Sequence, residues 1–477
     1  MPHGHRFTLG QQDPYSGAPR LRAAPNNRIN RTFGCREALQ GWLHHNLPVT
    51  EHSSPARALV EPNRVRIHAD LDELIAVPSM GGTPAEVSVQ ELLAKRWRDW
   101  GWDVRTWEID LADLTERPDF PGMEVDRDRA LGVMAVRSGS GGGPTLMLNG
   151  HTDVVPPGDL SAWSADPFEP RRVQVDGREC VVGRGACDMK GGLVAAWEAL
   201  RMIDEAGITL RGNVVLCPVS GEEDGGLGTF AALDHLHEHA GLEVDACIVP
   251  EPTDLDIVPA NGGALTFRLR VPGAAIHASR RAEGVSAIEK FLPILQALTE
   301  LEGSRNAVVD PLMSRWPIAY PLSIGTVRAG DWASTVPDLL VAEGRLGVAL
   351  DESMDAARAA LESAVAQACD SDAWLRDHPV SVEWWGGQFA SGRTADDAPI
   401  VSLVRDAHTR ATGRTPSTYG GPYGSDLRLL TGIAGIPTVQ YGPGDTIVAH
   451  APNEFVAIDD VVTCASVIAD VIVQYCS

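Results

Sequence analysis

The sequence predicts an α/β protein of two domains: an open, mostly parallel sheet with helices on both faces, plus an inserted α+β unit. Three observations predict it. The chain has 477 residues, more than one ordinary core encloses. Short apolar runs alternate with helical periodicity from about 133 to 249. Near residue 262 that texture gives way to strands with alternating faces, and it returns at 436–441.

Residues 1 to about 60 are rich in Pro, Asn and Arg and lack sustained periodicity, so 1–64 reads as an N-terminal extension. Arg20, Arg22, Arg28, Arg31 and Arg36 make it locally basic. Ile67, Leu71, Leu74 and Ile75 then recur at helical spacing and stop at Val77-Pro78-Ser79. A second helix spans about 85–100. Strands at 133–136, 145–148, 214–219 and 246–249 alternate with helices at about 190–206 and 229–240. In the inserted unit, 262–384, strands at 264–271, 322–327, 339–348 and 380–384 accompany helices at about 286–301 and 354–369. The first of these helices carries Ile288, Phe291, Leu292, Leu295 and Leu298 as its apolar stripe. A strand at 436–441 and a helix at about 459–475 complete the main domain, which comprises 65–261 and 385–477.

Composition narrows the function. Hydrophobic residues at 44% and charged residues at 22% are ordinary for a globular protein. A net charge of −24 argues against nucleic acid or an anionic membrane as partner. No apolar run reaches the roughly eighteen residues of a membrane span, and the start shows no secretory leader pattern. The eight cysteines are scattered without a CxxC pair, which suits reduced thiols in a cytoplasmic enzyme.

The acidic and imidazole groups fall where predicted strands end. The run 145–148 leads into His151 and Asp153, 214–219 into Glu222 and Glu223, and 246–249 into Glu251. In an open α/β sheet, ligands bind beyond the carboxyl ends of the strands. Between the first two lies a glycine-rich stretch, 183–192, with Asp188 at its turn and no Gly-Lys-Ser/Thr ending of a phosphate loop. His450 follows Gly442-Pro443-Gly444.

Divalent ions take His nitrogen and carboxylate oxygen, and a pair of ions needs a carboxylate between them. Two ions about 3.5–4 Å apart activate water and polarise a carbonyl, while a spare carboxylate moves the proton. Glu222 and Glu223 can divide these tasks, because neighbouring side chains on extended backbone point apart. Each piece alone has a plainer reading. His-Thr-Asp suits a capped turn, Glu222-Glu223-Asp224 a solvated helix start, Cys187 packing, Lys190 a structural ion pair and His277 a surface histidine. The joint pattern favours a metal site.

The motifs Leu148-Asn149-Gly150-His151-Thr152-Asp153, 183–192, Ser220-Gly221-Glu222-Glu223, Pro250-Glu251-Pro252-Thr253 and Ala449-His450-Ala451-Pro452 occur in this order. They resemble the zinc-dependent amidohydrolase family of acetylornithine deacetylase, succinyl-diaminopimelate desuccinylase, aminoacylase and the glutamate carboxypeptidases, over about residues 65–475. Glu283-Gly284-Val285-Ser286 and Glu343-Gly344-Arg345 look most like the acetylornithine deacetylase-like branch.

The resemblance implies two Zn2+ per subunit, with cobalt or manganese able to substitute. His151 and Glu251 would hold one, Glu223 and His450 the other, and Asp188 would bridge. It implies that Asp153 accepts a hydrogen bond from His151 to fix its tautomer, and that Glu222 is general base and then acid. The inserted unit would form a homodimer and carry His277 to a neighbouring subunit's site as an oxyanion donor. Arg281, Ser286 and Ser334-Thr335 depart from residues common in relatives. Arg345 is a candidate carboxylate anchor, with an ion pair to Glu343 or Asp351 as the alternative. Gly442, Gly444 and the glycines of 420–424 would bring backbone close to substrate. The expected activity is hydrolysis of a small-molecule N-acyl substrate, an N-acylated amino acid or related amine. A dipeptidase or carboxypeptidase on the same site is the alternative, and a non-catalytic binding relative a weaker one.

Overall fold

The computed structural model describes residues 61–237 and 241–477. The predicted extension therefore lies almost wholly outside the described residues, and the first described helix begins at Arg64. A nine-stranded sheet organises the main domain. Its strands are β1 (Asp103–Glu108), β2 (Leu131–Arg137), β3 (Leu146–His151), β6 (Val214–Val219), β7 (Ala246–Val249), β8 (Ile257–Asn261), β13 (Gly392–Arg393), β14 (Thr418–Gly421) and β15 (Thr438–Gln440). The order is β1-β2-β6-β3-β7-β15-β8-β13, with β14 also paired to β8. Its centre, β6-β3-β7-β15, is parallel, and β1 and β2 flank it antiparallel. A small sheet, β4 (Arg171–Val175), β5 (Arg178–Val182) and β16 (Phe455–Ala457), lies beside it.

The central strands are buried on both faces. Leu146 and Leu148 of β3 join one core cluster while Met147 joins the other. Val214 and Leu216 of β6 likewise oppose Val215, Cys217 and Val219. A strand covered by helices on both sides needs no polar alternation. This is why these strands read as continuous apolar runs. The first core is closed by helices Arg64–Ile75, Pro84–Asp99, Gly191–Glu205 and Ile458–Tyr475, with Trp97 edge-on to Trp197. The second is closed by helix Leu227–His235, which begins two residues before the predicted 229; the predicted end at 240 lies outside the described residues.

β1 and β4 escaped the sequence reading because charge interrupts them: Asp103, Arg105 and Glu108 in one, Arg171 and Arg172 in the other. Both stand at sheet edges, where half the side chains meet water. Helix Pro399–Thr412 was missed too, although its buried face is regular (Ile400, Val401, Val404, Ala407, His408 and Ala411).

The inserted domain is a four-stranded antiparallel sheet in the order β10-β11-β9-β12, made of β9 (Gly263–Pro272), β10 (Leu322–Ala329), β11 (Leu339–Val348) and β12 (Ser381–Phe389). β12 runs past the predicted end at 384. Helices Ala287–Arg305 and Met354–Ser371 cover one face. The predicted apolar stripe on the first needs correction. The buried residues are Ala287, Phe291, Ile294 and Leu298, whereas Ile288, Leu292 and Leu295 are 48%, 60% and 40% exposed. At 3.6 residues per turn these are two faces, and the predicted stripe mixed them.

One buried histidine carries a stability prediction. His408 is fully buried, with Nδ1 2.8 Å from the Tyr441 hydroxyl. Burial lowers its pKa from 6.5 to about 4. Between those values the unfolded chain binds a proton that the folded chain does not. This contribution is therefore complete above about pH 6.5 and lost as pH falls toward 4, by on the order of 3 kcal/mol. Denaturant midpoints between pH 7 and 4.5 should fall less steeply for His408→Asn than for the parent. Parallel curves would remove His408 as a cause of acid sensitivity. Among the described residues no helix is long and apolar enough to cross a membrane.

Candidate metal centre

β3 ends on His151, whose ring is fully enclosed. Its Nε2 lies 3.0 Å from Asp188 Oδ1 and 3.9 Å from Glu251 Oε2. Glu251 comes from the loop just beyond β7, the neighbour of β3. Asp188 stands where the glycine-rich loop turns into helix Gly191–Glu205, after a left-handed Gly185 (φ +81°). The backbone N–H groups of Cys187 and Asp188 donate to Glu454 Oε1 at 2.9 and 3.0 Å, and Arg184 donates to Glu454 Oε2 at 2.5 Å. A buried ion pair thus fixes the turn that presents Asp188.

On the other side, His450 Nε2 lies 3.1 Å from Glu223 Oε2 and 3.5 Å from Asp188 Oδ2. Two triads result, His151/Asp188/Glu251 and Asp188/Glu223/His450, each with its ligand atoms within 4.8 Å of one another. They share Asp188, which gives Oδ1 to one histidine and Oδ2 to the other. Burial opposes charge on both imidazoles, yet the neighbouring carboxylates win, holding His151 well above its ordinary value and His450 at about 9. Imidazole nitrogen and carboxylate oxygen around a shared carboxylate suit a pair of divalent cations such as zinc, cobalt or manganese. The residues present fit the group.

Two details differ from the sequence-based expectation. The His151 Nδ1 partner is the backbone carbonyl of Asp153 at 2.9 Å, while the Asp153 carboxylate is 3.9 Å away. That carboxylate instead accepts from the backbone N–H of Glu222 (3.3 Å) and of Glu223 (3.1 Å). It orients the acidic pair, and the carbonyl two residues along sets the tautomer. Nor is the backbone at Glu222-Glu223 extended. Residues 222–224 form a turn after Gly221 (φ +68°), which sends Glu223 to His450 and leaves Glu222 buried with Oε1 unbonded. Burial, with Asp426 adding to it, pushes the Glu222 carboxyl well above the ordinary range; bound cations would draw it back.

The turn has a support that sequence reasoning missed. Arg127, fully buried, donates to Glu86 at 2.9 Å and to Asp224 at 2.8 Å. Asp224 also caps the N–H groups of Glu124 and Val125. Lys190 is not the predicted ion-pair partner. Its Nζ donates to the carbonyls of Leu74 and Val77, both at 2.9 Å, closing the end of helix Arg64–Ile75. Cys187 is buried packing, as expected.

A cavity of about 700 Å³ opens onto the centre, lined by Glu222, Asp188, Glu251, His450, Glu124 and Arg345 among others. Arg345 pairs with neither Glu343 nor Asp351; it donates to Glu124 Oε1 at 2.9 Å. Gly442 and Gly444 do not line the cavity, correcting their expected role, although Gly424 does. A Cβ at Gly442 would come 2.3 Å from the Pro250 carbonyl, so that glycine lets the loop pack behind Glu251. His277 is exposed, bonded to Ser279 Oγ at 2.8 Å, and stands outside this cavity.

A helix-backed parallel sheet that brings two histidines and three carboxylates into one cluster beside a cavity defines a metallohydrolase fold and site. Residues 147–474 match the model of peptidase family M20/M25/M40, and the chain belongs to that family. It is 30% identical over 359 residues to N-formyl-4-amino-5-aminomethyl-2-methylpyrimidine deformylase of Bacillus subtilis (strain 168), covering 70% of this chain and 80% of that protein. It is 31% identical over 343 residues to succinyl-diaminopimelate desuccinylase of Gluconacetobacter diazotrophicus, covering 69% and 80%. The fold matches the di-peptidase Dug1p of Saccharomyces cerevisiae with a TM-score of 0.70 at 16% identity, over 89% of this chain and 99% of that one. Human carnosine dipeptidase 1 matches with 0.69 at 14%, over 90% and 100%. The chain is accordingly a family M20 metallohydrolase acting on amide bonds.

Proposed function

We propose that the protein is a deacylase, hydrolysing the amide of a small N-acylated amine to a carboxylate and a free amine. The observation that carries this reading is Glu222, a buried carboxyl with an unbonded oxygen, lining the cavity beside two triads that share Asp188. His151, Glu251, Glu223, His450 and Asp188 would hold two zinc ions, which when bound supply a polarised water and a Lewis acid for the acyl carbonyl.

Glu222 takes a proton from the attacking water as the oxygen joins the acyl carbon. It returns that proton to the nitrogen as the carbon–nitrogen bond breaks. Asp153 holds the Glu222-Glu223 turn by its two backbone N–H groups, keeping base and ligand in fixed relation. The exposed stripe Ile288, Leu292 and Leu295 supports a homodimer through the inserted domain, with His277 of one copy serving the cavity of another. Seven free, buried thiols among the described residues support a cytoplasmic setting.

The test is a panel of N-formyl, N-acetyl and N-succinyl amines set against dipeptides, using zinc-loaded protein. Turnover of the acyl amines should exceed that of the dipeptides. It should vanish on chelation and return with zinc, cobalt or manganese. Faster turnover of the dipeptides would favour the peptidase alternative, and activity that survives chelation would remove the metal from the scheme.

A further inference from the structure

The cavity lining contains a charge pair whose two halves come from distant parts of the chain. Glu124 lies in the segment between β1 and β2, and Arg345 lies on β11 of the inserted domain. Both line the cavity. Glu124 Oε1 accepts from Arg345 Nη2 at 2.9 Å and from Thr266 Oγ1, on β9, at 2.8 Å. Its backbone N–H is held by Asp224, which Arg127 holds in turn.

The segment is built against the inserted domain and is no loose loop. Gln388 N–H donates to the Pro121 carbonyl at 2.8 Å. A Cβ at Gly122 would come 2.0 Å from the Gly386 carbonyl, and one at Gly386 2.5 Å from Glu124 Cγ. Backbones this close place Glu124 by packing.

Among the described residues Arg345 is the only Arg or Lys lining the cavity. A substrate carboxylate would need it as an anchor, yet its charge is already met by Glu124. Attraction to the guanidinium and repulsion from the adjacent carboxylate act over similar distances and nearly cancel. Conversely, both bonds to Glu124 fall on Oε1, which leaves Oε2 to accept from a substrate N–H.

We propose that Glu124 is a specificity residue: it selects N-acyl amines that present a cationic or hydrogen-bond-donating group to this wall, and it discriminates against substrates bearing a carboxylate there. The proposal rests on the deacylase reading and narrows its substrate class to amines without a carboxylate at that position.

The test compares N-acetyl and N-succinyl derivatives of one diamine, using the zinc-loaded enzyme. The parent should favour N-acetyl by about tenfold in kcat/KM. Glu124→Gln should erase or reverse that preference through a lower KM for the N-succinyl substrate. Adding Arg345→Gln should cancel the gain. An unchanged preference in Glu124→Gln would overturn the proposal, as would a parent enzyme that favours N-succinyl through Arg345. If neither amide is hydrolysed, the deacylase reading fails separately. Calorimetric titration with succinate then still decides the charge selection: binding about tenfold tighter to Glu124→Gln than to the parent upholds it, and equal affinity overturns it.

Discussion

Glu222→Gln should retain the fold and both metal triads while losing about 10²–10⁴-fold in kcat. The amide is isosteric with the carboxylate, so the turn held by Asp153 and the contact of Glu223 with His450 should persist. What the variant lacks is a group that binds a proton and releases it. The buried, unbonded Oε1 of Glu222 marks the position where that group is needed. The measurement is steady-state turnover beside metal content by elemental analysis. Near-parent turnover would exclude Glu222 as the acid–base group. Metal loss together with activity loss would instead make it a ligand or its support.

Arg127→Met should be the most damaging change remote from the reacting atoms. The guanidinium is fully buried between Glu86 and Asp224, and both carboxylates are themselves buried. Removing one partner of a buried pair leaves uncompensated charge, at a cost of about 3–5 kcal/mol. Asp224 follows directly on Glu223, so the loss should also weaken metal binding. Urea midpoints and zinc titration would show both effects, and Arg127→Lys should recover part of the stability by restoring one charge. A midpoint within error of the parent would mean that Glu86 and Asp224 find other partners or take up protons without cost.

Three residues of the candidate metal centre, His151, Glu223 and Glu251, were legible because they end or follow β3, β6 and β7, strands buried on both faces and therefore written as unbroken apolar runs. A His or Glu placed just after such a run is conspicuous. The roles around the ligands were less legible. Family resemblance pairs Asp153 with His151, but the turn at 222–224 brings two N–H groups to its carboxylate and leaves the ring to a carbonyl. Lys190 suggested an ion pair, but the end of helix Arg64–Ile75 offers it two carbonyls. Ile288, Leu292 and Leu295 are exposed although apolar, because hydrophobicity alone does not say which of two apolar faces meets the sheet.

The sequence by itself marked the apolar central strands, the change of texture near residue 262 and the His and carboxylate groups that come at strand ends, because each depends on local period or on residues close to a strand end. Only the tertiary structure decided that Asp153 holds the Glu222-Glu223 turn, that Arg127 braces the acidic turn and that Glu124 meets Arg345. The partners in the last two pairs lie 97 and 221 residues apart. No local pattern records such a pairing, since it is set by where distant loops pack once the sheet has formed.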